Sequence, residues 1–333
     1  MNSLTIEIID LDFAMIKPIA TAQGKISRRK GQEVYLTDGG LTGVGEVLPL
    51  PNWSKSSYLE TKDELRAIQL NPKEALGNVQ KFSPEVQAGL GTAMWAHRAA
   101  QSDQQLYEAL GGNTNRVFVN ALVGGGSEIE LRSSIKNALE QGYETLKVKM
   151  GFGSTEDQKR LQIIAAEIAQ ETKVRLDANG AWTQQEALDL TQLAFKFLGE
   201  RLEYVEDPVS TVEELCEIRP ALTVDIAADA LIGGSQDIEH MIFEGGASFI
   251  ILKPTLLGGI DPVLVLSKQV RKLGAYPVLS SVYDGPVGLC TWCHLAAAVS
   301  PGITHGLGTA ELIDDSRMES LIPRNGFIEL PNF

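Results

Sequence analysis

The chain has 333 residues, 44% of them hydrophobic and 22% charged, the balance of a globular protein with one large core or two ordinary ones. A formal net charge of −14, with no basic cluster to offset it, argues against a nucleic-acid or anionic-membrane surface. The N-terminal Met1-Asn2-Ser3-Leu4-Thr5-Ile6-Glu7 lacks the pattern of a signal peptide, and no apolar run approaches membrane-spanning length. The expectation is a cytoplasmic protein without a membrane or nucleic-acid partner.

The chain opens as a small α+β unit. Residues 4–18, 32–38 and 43–50 read as strands, the last two joined by the turn Asp38-Gly39-Gly40. The densest basic run, Arg28-Arg29-Lys30, reads as a solvated turn. Helical patterns follow over 56–70 and 84–101, the second with a start signal in Ser83-Pro84-Glu85. From about Val117 the rhythm changes. Short β-branched runs at 118–123, 145–150, 174–178, 204–206, 224–228, 249–253, 277–282 and 303–307 alternate with helical segments. That alternation predicts a (β/α)7β-type TIM barrel, an α/β fold, over residues 116–313. Residues 1–115 would form an α+β capping domain, completed by the returning tail 314–333.

Cys290 and Cys293 form a C-x-x-C inside the apolar helical stretch 287–299. With no second pair they read as small core residues rather than as a zinc or redox site. His97, His240, His294 and His305 are scattered, without metal-ligand spacing.

The ends of the barrel strands carry the chemistry, because in such a fold they converge on one mouth. The second strand ends in Lys147 and Lys149, which share a face because they are two apart. Two ammonium groups side by side in an apolar setting repel each other and lose hydration. Both effects lower a lysine pKa toward a neutral amine that acts as a base. Asp177, Glu206 and Asp229 close the third, fourth and fifth strands. Any one of them fits a helix N-cap. Three in register on consecutive strands repel each other unless a cation lies among them, and all-oxygen ligands indicate a hard divalent ion, with Mg2+ expected. Lys253 closes the sixth strand. Strands two and six are four apart in a ring of eight, so Lys149 and Lys253 would flank a ligand from opposite sides. This suits removal of a proton next to a carboxylate, with the developing enediolate charge neutralised by the metal.

With Lys147-Val148-Lys149, Asp177-Ala178-Asn179, Glu206-Asp207-Pro208, Asp229 and Lys253-Pro254 in this order, the chain resembles the muconate-cycloisomerase-like branch of the enolase superfamily. Gly45-Glu46-Val47-Leu48-Pro49-Leu50-Pro51, Phe118-Val119-Asn120-Ala121-Leu122 and His305-Gly306-Leu307-Gly308-Thr309 make it most similar, within that branch, to the o-succinylbenzoate synthase family. The resemblance implies a carbon–oxygen lyase of menaquinone or phylloquinone biosynthesis. It would dehydrate 2-succinyl-6-hydroxy-2,4-cyclohexadiene-1-carboxylate to o-succinylbenzoate. It further implies Mg2+ on Asp177, Glu206 and Asp229, Lys149 as the base, Lys253 on the opposite face, and Lys147 orienting the substrate carboxylate. In the pattern of the family, Ser280, Ser281, Asp284 and Gly306 lie where the succinyl arm is held. Gln23, in Thr21-Ala22-Gln23-Gly24, lies where a capping loop closes.

Two departures bear on specificity. Ala230 follows Asp229 where the family usually has an acid, and the loop Ser280-Ser281-Val282-Tyr283-Asp284-Gly285-Pro286 has Asp284 where Glu is common. Ser280 and Ser281 also fit simple turn chemistry, Asp284 fits either a substrate contact or a bond to its own backbone, and the 21–24 segment fits an ordinary hairpin turn. The same lysine pair suits an N-succinylamino acid racemase or a dipeptide epimerase. A dipeptide epimerase usually carries an Asp-x-Asp motif near the eighth strand, where this chain reads Gly306-Leu307-Gly308-Thr309.

Overall fold

The N-terminal sheet is an antiparallel meander of β1 (Thr5–Thr21), β2 (Gly24–Asp38) and β3 (Leu41–Val47). The computed structural model describes residues 4–21, 24–229 and 235–333. The first hairpin is longer than its sequence pattern suggests. Pairing runs without a break from Thr5↔Thr37 to Ala14↔Arg28 and resumes, after a register shift, at Ile19↔Ile26. Arg28-Arg29-Lys30 therefore lies within β2 and not in a solvated turn. Strand alternation sends Arg28 and Lys30 outward to Asp12 and turns Arg29 inward, where it is fully buried. The helix Tyr58–Leu70 starts on a Ser57–Glu60 capping box. The helix Pro84–Gln101 lies flat on β3, close enough that a Cβ on Gly45 would stand 1.8 Å from the Gly89 carbonyl oxygen.

β4 (Arg116–Phe118) pairs with the tail strand and is no part of the barrel, so the run expected at 118–123 splits. The barrel strands are β5 (Ala121–Val123), β6 (Thr145–Lys149), β7 (Lys173–Asp177), β8 (Leu202–Glu206), β9 (Ile226–Ala228), β10 (Ala247–Leu252) and β11 (Tyr276–Leu279). All are parallel and lie in chain order. Capping boxes at Ser127, Thr183 and Thr211 start the helices that follow β5, β7 and β8. The ring closes through residues 305–306, which bridge Val119 on one side and Ser280 on the other. His305 donates its N–H to Phe118 O (2.8 Å) and accepts from Asn120 N (3.0 Å). Gly306 donates to Leu279 O (2.8 Å) and accepts from Ser281 N (3.0 Å).

Alternation along the strands separates two environments. Leu146, Val148, Leu176, Val205, Ile250 and Leu252 face the helices in the main core. Tyr204, Ala227, Phe249, Ile251 and Val278 form a separate apolar cluster inside the ring. Beside it lies Arg175, fully buried, its ring-like guanidinium 4.8 Å from the centre of the Tyr204 ring. Arg175 donates to Glu203, Asn120 Oδ1 (3.1 Å) and Thr304 O (2.8 Å), so one side chain joins β7 to both flanks of the closure. The tail returns to the N-terminal sheet and the start of the barrel. Asp314 N donates to Ala14 O, Arg317 pairs with Glu33, and β12 (Phe327–Glu329) pairs with β4. Among the described residues no helix is long and apolar enough to cross a membrane, and Cys216, Cys290 and Cys293 are free thiols.

Two histidines hold this frame. His305 accepts from Leu279 N at Nδ1 and bonds Ser300 O at Nε2. His294 accepts from Tyr107 N and bonds Pro331 O, tying down the tail. Burial pushes both imidazoles down to about 4 from 6.5. Between those values the unfolded chain binds the protons that the folded chain refuses. The stability they lend is complete above pH 6.5 and is lost as pH falls toward 4. Urea unfolding from pH 7.5 to 4.5 is expected to show this fall. His305→Gln and His294→Asn should each flatten the slope by up to about 1.4 kcal/mol per pH unit.

Candidate active site

The register of β6, β7 and β8 sets the site. Lys149 is paired with Asp177 and Asp177 with Glu206, so three charged residues stand at one level on adjacent strands. Lys147 Nζ lies 2.6 Å from Glu206 Oε1 and 2.9 Å from Asp177 Oδ2, and Lys149 Nζ lies 2.6 Å from the same Asp177 oxygen. The other oxygen, Oδ1, accepts from Asn179 Nδ2 (2.5 Å) and Asn179 N (3.2 Å), with Asn179 held at φ 49°. Asp229 follows β9. Asp207 accepts its N–H (3.0 Å), and Lys253, just after β10, reaches its carboxylate at 2.6 Å. Trp53, from the N-terminal unit, places its ring 5.1 Å from the Lys253 ammonium. The sheet order puts β6 and β10 across the ring from each other, so Lys149 and Lys253 approach from opposite sides.

Burial depresses the Lys147 ammonium, but Asp177 and Glu206 together outweigh it and hold the group well above the usual lysine range. Lys253 behaves likewise, raised by Asp229 against its burial. The expectation that repulsion from its neighbour lowers the lysine pKa is therefore not met at Lys147, because its ammonium lies against two carboxylates. The acids divide. Burial acts to raise Asp177, yet Lys147 and Lys149 hold it well below the usual carboxylate range. Burial and the neighbouring Asp177 push Glu206 up to about 8. Exposure ranks the lysine side chains: 13% for Lys147, 17% for Lys253 and 33% for Lys149. Lys149 is the one most open to an incoming molecule.

The carboxylates aim at the lysines and not at one another. Among the described residues no group of three or more His, Cys, Asp or Glu side chains is drawn together as a ready cation cage. The donor set still suits a hard cation. It is all oxygen, and Glu206 Oε2 is buried with no hydrogen-bond partner among the described residues, a position that a metal–oxygen bond satisfies.

The residues expected to hold substrate fare differently. Ser280 stands half-buried at the end of β11. Ser281 and Asp284 are buried and bonded to each other. Asp284 Oδ2 accepts from Ser281 Oγ (2.8 Å) and Val282 N (3.0 Å), and Oδ1 accepts from Thr255 Oγ1 (2.5 Å). These bonds fold the loop, in keeping with the turn chemistry that the sequence also allows for both residues. Gly306 uses both backbone groups to close the ring, and its missing Cβ leaves room for Ser280 Oγ, 2.8 Å away from where a Cβ would stand. Gln23 lies outside the described residues. Asn179, Trp53 and Arg175 are the contributors that strand-end reading passed over. Asn179 had a signal in its place two residues after Asp177. Trp53 sits in a proline-flanked loop distant in sequence, and nothing local marks its contact with Lys253.

Residues 130–332 match the family described as Enolase C-terminal domain-like. The chain belongs to that family. Enolase-superfamily members are enzymes, and the relatives of this one include both a synthase and an epimerase. The o-succinylbenzoate synthase of Aliivibrio fischeri (strain MJ11) is 25% identical over 311 residues, 92% of this chain and 91% of its own length. The hydrophobic dipeptide epimerase of Enterococcus faecalis is 26% identical over 304 residues, 85% of each. The crystal structure of a dipeptide epimerase from Enterococcus faecalis V583, complexed with Mg and the dipeptide L-Leu-L-Tyr, superposes with a TM-score of 0.86. It is 22% identical and covers 99% of this chain and 97% of that one. The enolase fold of the chain is thereby shown, and the family is one in which both a lyase and an epimerase occur.

Lys147 is the electrostatic keystone of the rim. Lys147→Met leaves Glu206 without its ammonium partner and Asp177 with Lys149 alone. Removing one partner of a buried pair costs about 3–5 kcal/mol, and proton uptake by Glu206 brings the loss toward the lower end. Thermal melting of K147M should fall accordingly, and added Mg2+ should raise its midpoint more than it raises that of the unaltered protein.

Proposed function

We propose that this enzyme is an o-succinylbenzoate synthase, dehydrating 2-succinyl-6-hydroxy-2,4-cyclohexadiene-1-carboxylate to o-succinylbenzoate. The observation that carries the proton chemistry is the pair Lys149 and Lys253, set on opposite sides of a rim that holds Asp177, Glu206 and Asp229. Asp177, Glu206 and Asp229 would hold Mg2+, whose contribution when bound is to neutralise charge on the substrate carboxylate. With Asp177 holding the ion, Lys149 would no longer be its ion-pair partner, and with its proton given up to solvent it would serve as the neutral amine. It takes the α-proton, the electron pair moves into the ring, and the C–O bond to the hydroxyl breaks. Lys149 then returns its proton to the departing oxygen, so that water leaves and the ring becomes aromatic. Lys253 remains an ammonium on the other face and stabilises the developing negative charge. Lys147, the least exposed of the three, orients the carboxylate.

An epimerase uses the same first step and returns the proton from the opposite face, so the two lysines also suit it. The dipeptide epimerase relatives support that second reading. The eighth stave supports the lyase. A dipeptide carries an ammonium that needs an acidic partner, and residues 305–309 are His, Gly, Leu, Gly and Thr. The curated synthase relative also spans more of the chain.

Purified protein with Mg2+ should consume the cyclohexadiene chromophore and exchange the α-proton of N-succinyl amino acids or dipeptides in D2O slowly by comparison. Exchange without dehydration would make the enzyme an epimerase or racemase. Lys149→Ala should lower kcat by roughly 10^3-fold or more, given that a positioned general base supplies about 10^2–10^4. Retained activity in K149A would remove it as the base. Asp177→Asn combined with Glu206→Gln should abolish Mg2+ binding measured by calorimetry, and unchanged affinity would disprove the metal assignment.

A further inference from the structure

A second set of buried charges lies beside the end of β6, and none of it takes part in the proton chemistry above. It belongs to the helix Ser154–Glu167, which follows β6 after the turn Met150-Gly151-Phe152-Gly153. Asp157 is fully buried. Its Oδ2 accepts from Gly151 N (2.9 Å) and Trp182 Nε1 (2.7 Å), and its Oδ1 accepts from Phe152 N (3.2 Å). Arg160 is fully buried as well. Its Nε donates to Lys149 O (3.2 Å) and its Nη2 to Gly124 O (2.9 Å), and its guanidinium lies 4.8 Å from the centre of the Phe152 ring. The two residues are three apart on one helix and share a face. Together they hold the chain just past β5, the last residue of β6 and the turn after it, and through Trp182 the loop after β7.

A helix start does not require this arrangement. The capping boxes at Ser127, Thr183 and Thr211 place their acids on the first turns of their own helices. Asp157 instead binds two amides that lie ahead of its helix. Burying a guanidinium costs free energy that its bonds must offset, and Arg160 directs two of its donors to main-chain carbonyls at strand ends. The turn is fitted to this clamp. Gly151 has a φ of 87°, and a Cβ there would stand 2.7 Å from Ala181 Cβ and 2.9 Å from Ala178 O, in the loop that follows Asp177.

What the clamp fixes is the main chain that carries Lys149. The Lys149 side chain is one-third exposed and ion-paired to Asp177 Oδ2. On the reading that Asp177 holds a metal, that ion pair is given up in the loaded site. A lysine amine sits on a flexible four-carbon stem, so the backbone beneath it is then what limits where it lies. We infer that Asp157 and Arg160, with Trp182 locking Asp157, are positioning residues for proton transfer, holding the chain from Lys149 to Phe152 so that the Lys149 amine meets the α-proton at reacting distance. This rests on the reading of Lys149 as the base. It applies to dehydration and epimerisation alike, because both begin with that proton.

The test uses the Mg2+-supplemented protein, follows both dehydration and α-proton exchange, and takes Lys149→Ala as its reference. Arg160→Met should lower kcat by about 10- to 100-fold and leave KM within about threefold, because a misplacement near 1 Å costs about 10^2-fold and the loss falls on the transition state. Arg160→Lys, a single point donor that cannot span both carbonyls, should fall between R160M and the unaltered protein. Trp182→Phe keeps the packing and removes the N–H that binds Asp157. It should lower kcat by about three- to tenfold, and it covers the case in which R160M does not fold. A double-mutant cycle separates positioning from stability. With the amine removed in K149A, adding R160M or W182F should change the residual rate by less than about twofold, whereas a structural role would lower it by the same factor as in the unaltered protein. If K149A turns over too slowly to time, a fall in kcat at unaltered KM and melting temperature supports the inference. Variants that lower the melting temperature with kcat unchanged, a loss confined to KM, or equal factors in the two backgrounds would overturn it and leave Lys149 as the base. Full activity in K149A, or a protein silent in both assays, would sink the assignment of the base and the inference with it.

Discussion

Parallel pairing of β6, β7 and β8 brings Lys149, Asp177 and Glu206 to one level at the barrel rim, and the rest of the site depends on that register. In a parallel sheet a residue's neighbours at the same height are a strand spacing away, so charges placed there interact strongly and without choice. A shift of one residue would turn the whole set toward the helices. Carboxylates at such spacing have to be neutralised. Here lysines neutralise them, and the distances of 2.6–2.9 Å show how closely the balance is drawn. Glu206, with one oxygen unpartnered among the described residues and a raised pKa, marks where that balance is incomplete.

Charge at the rim is dear in a low-dielectric interior, and the fold compensates below it. The apolar cluster of Tyr204, Ala227, Phe249, Ile251 and Val278 fills the ring beneath the site. Arg175 satisfies the closure from inside, through Asn120 and Thr304, where a barrel with a short eighth stave would otherwise leave backbone groups unpaired. Side chains at successive inward positions of β7 therefore do different work: Arg175 holds the ring shut and Asp177 pairs with the rim lysines.

The N-terminal sheet completes the site from the other side. Trp53 covers the Lys253 ammonium, while Arg29 and Glu46 grip the loop that carries Tyr283. On the proposed reading the barrel rim would supply proton transfer, which a lyase and an epimerase share, and the junction with the N-terminal unit would border the remainder of the substrate, a division in keeping with relatives of both reaction types on one scaffold.

Strand periodicity and the chemical type of each strand-end residue are local properties, and they were sufficient for the barrel, its strand order and the placement of Lys147, Lys149, Asp177, Glu206, Asp229 and Lys253 at one rim. Local pattern misled where a partner distant in sequence decides the outcome. Arg29 reads as a surface residue in a basic run, and pairing with β1 makes it a buried one. The run after Val117 reads as one strand, and β12, some two hundred residues later, takes its first half away from the barrel. Asp284 reads as a contact either for substrate or for its own backbone, and Thr255, in the short helix after β10, bonds it as well. The direction of the lysine pKa shifts likewise came from tertiary structure alone, because an ammonium's charge state is set by whichever group lies nearest in space, and the nearest groups to Lys147 are carboxylates on two other strands.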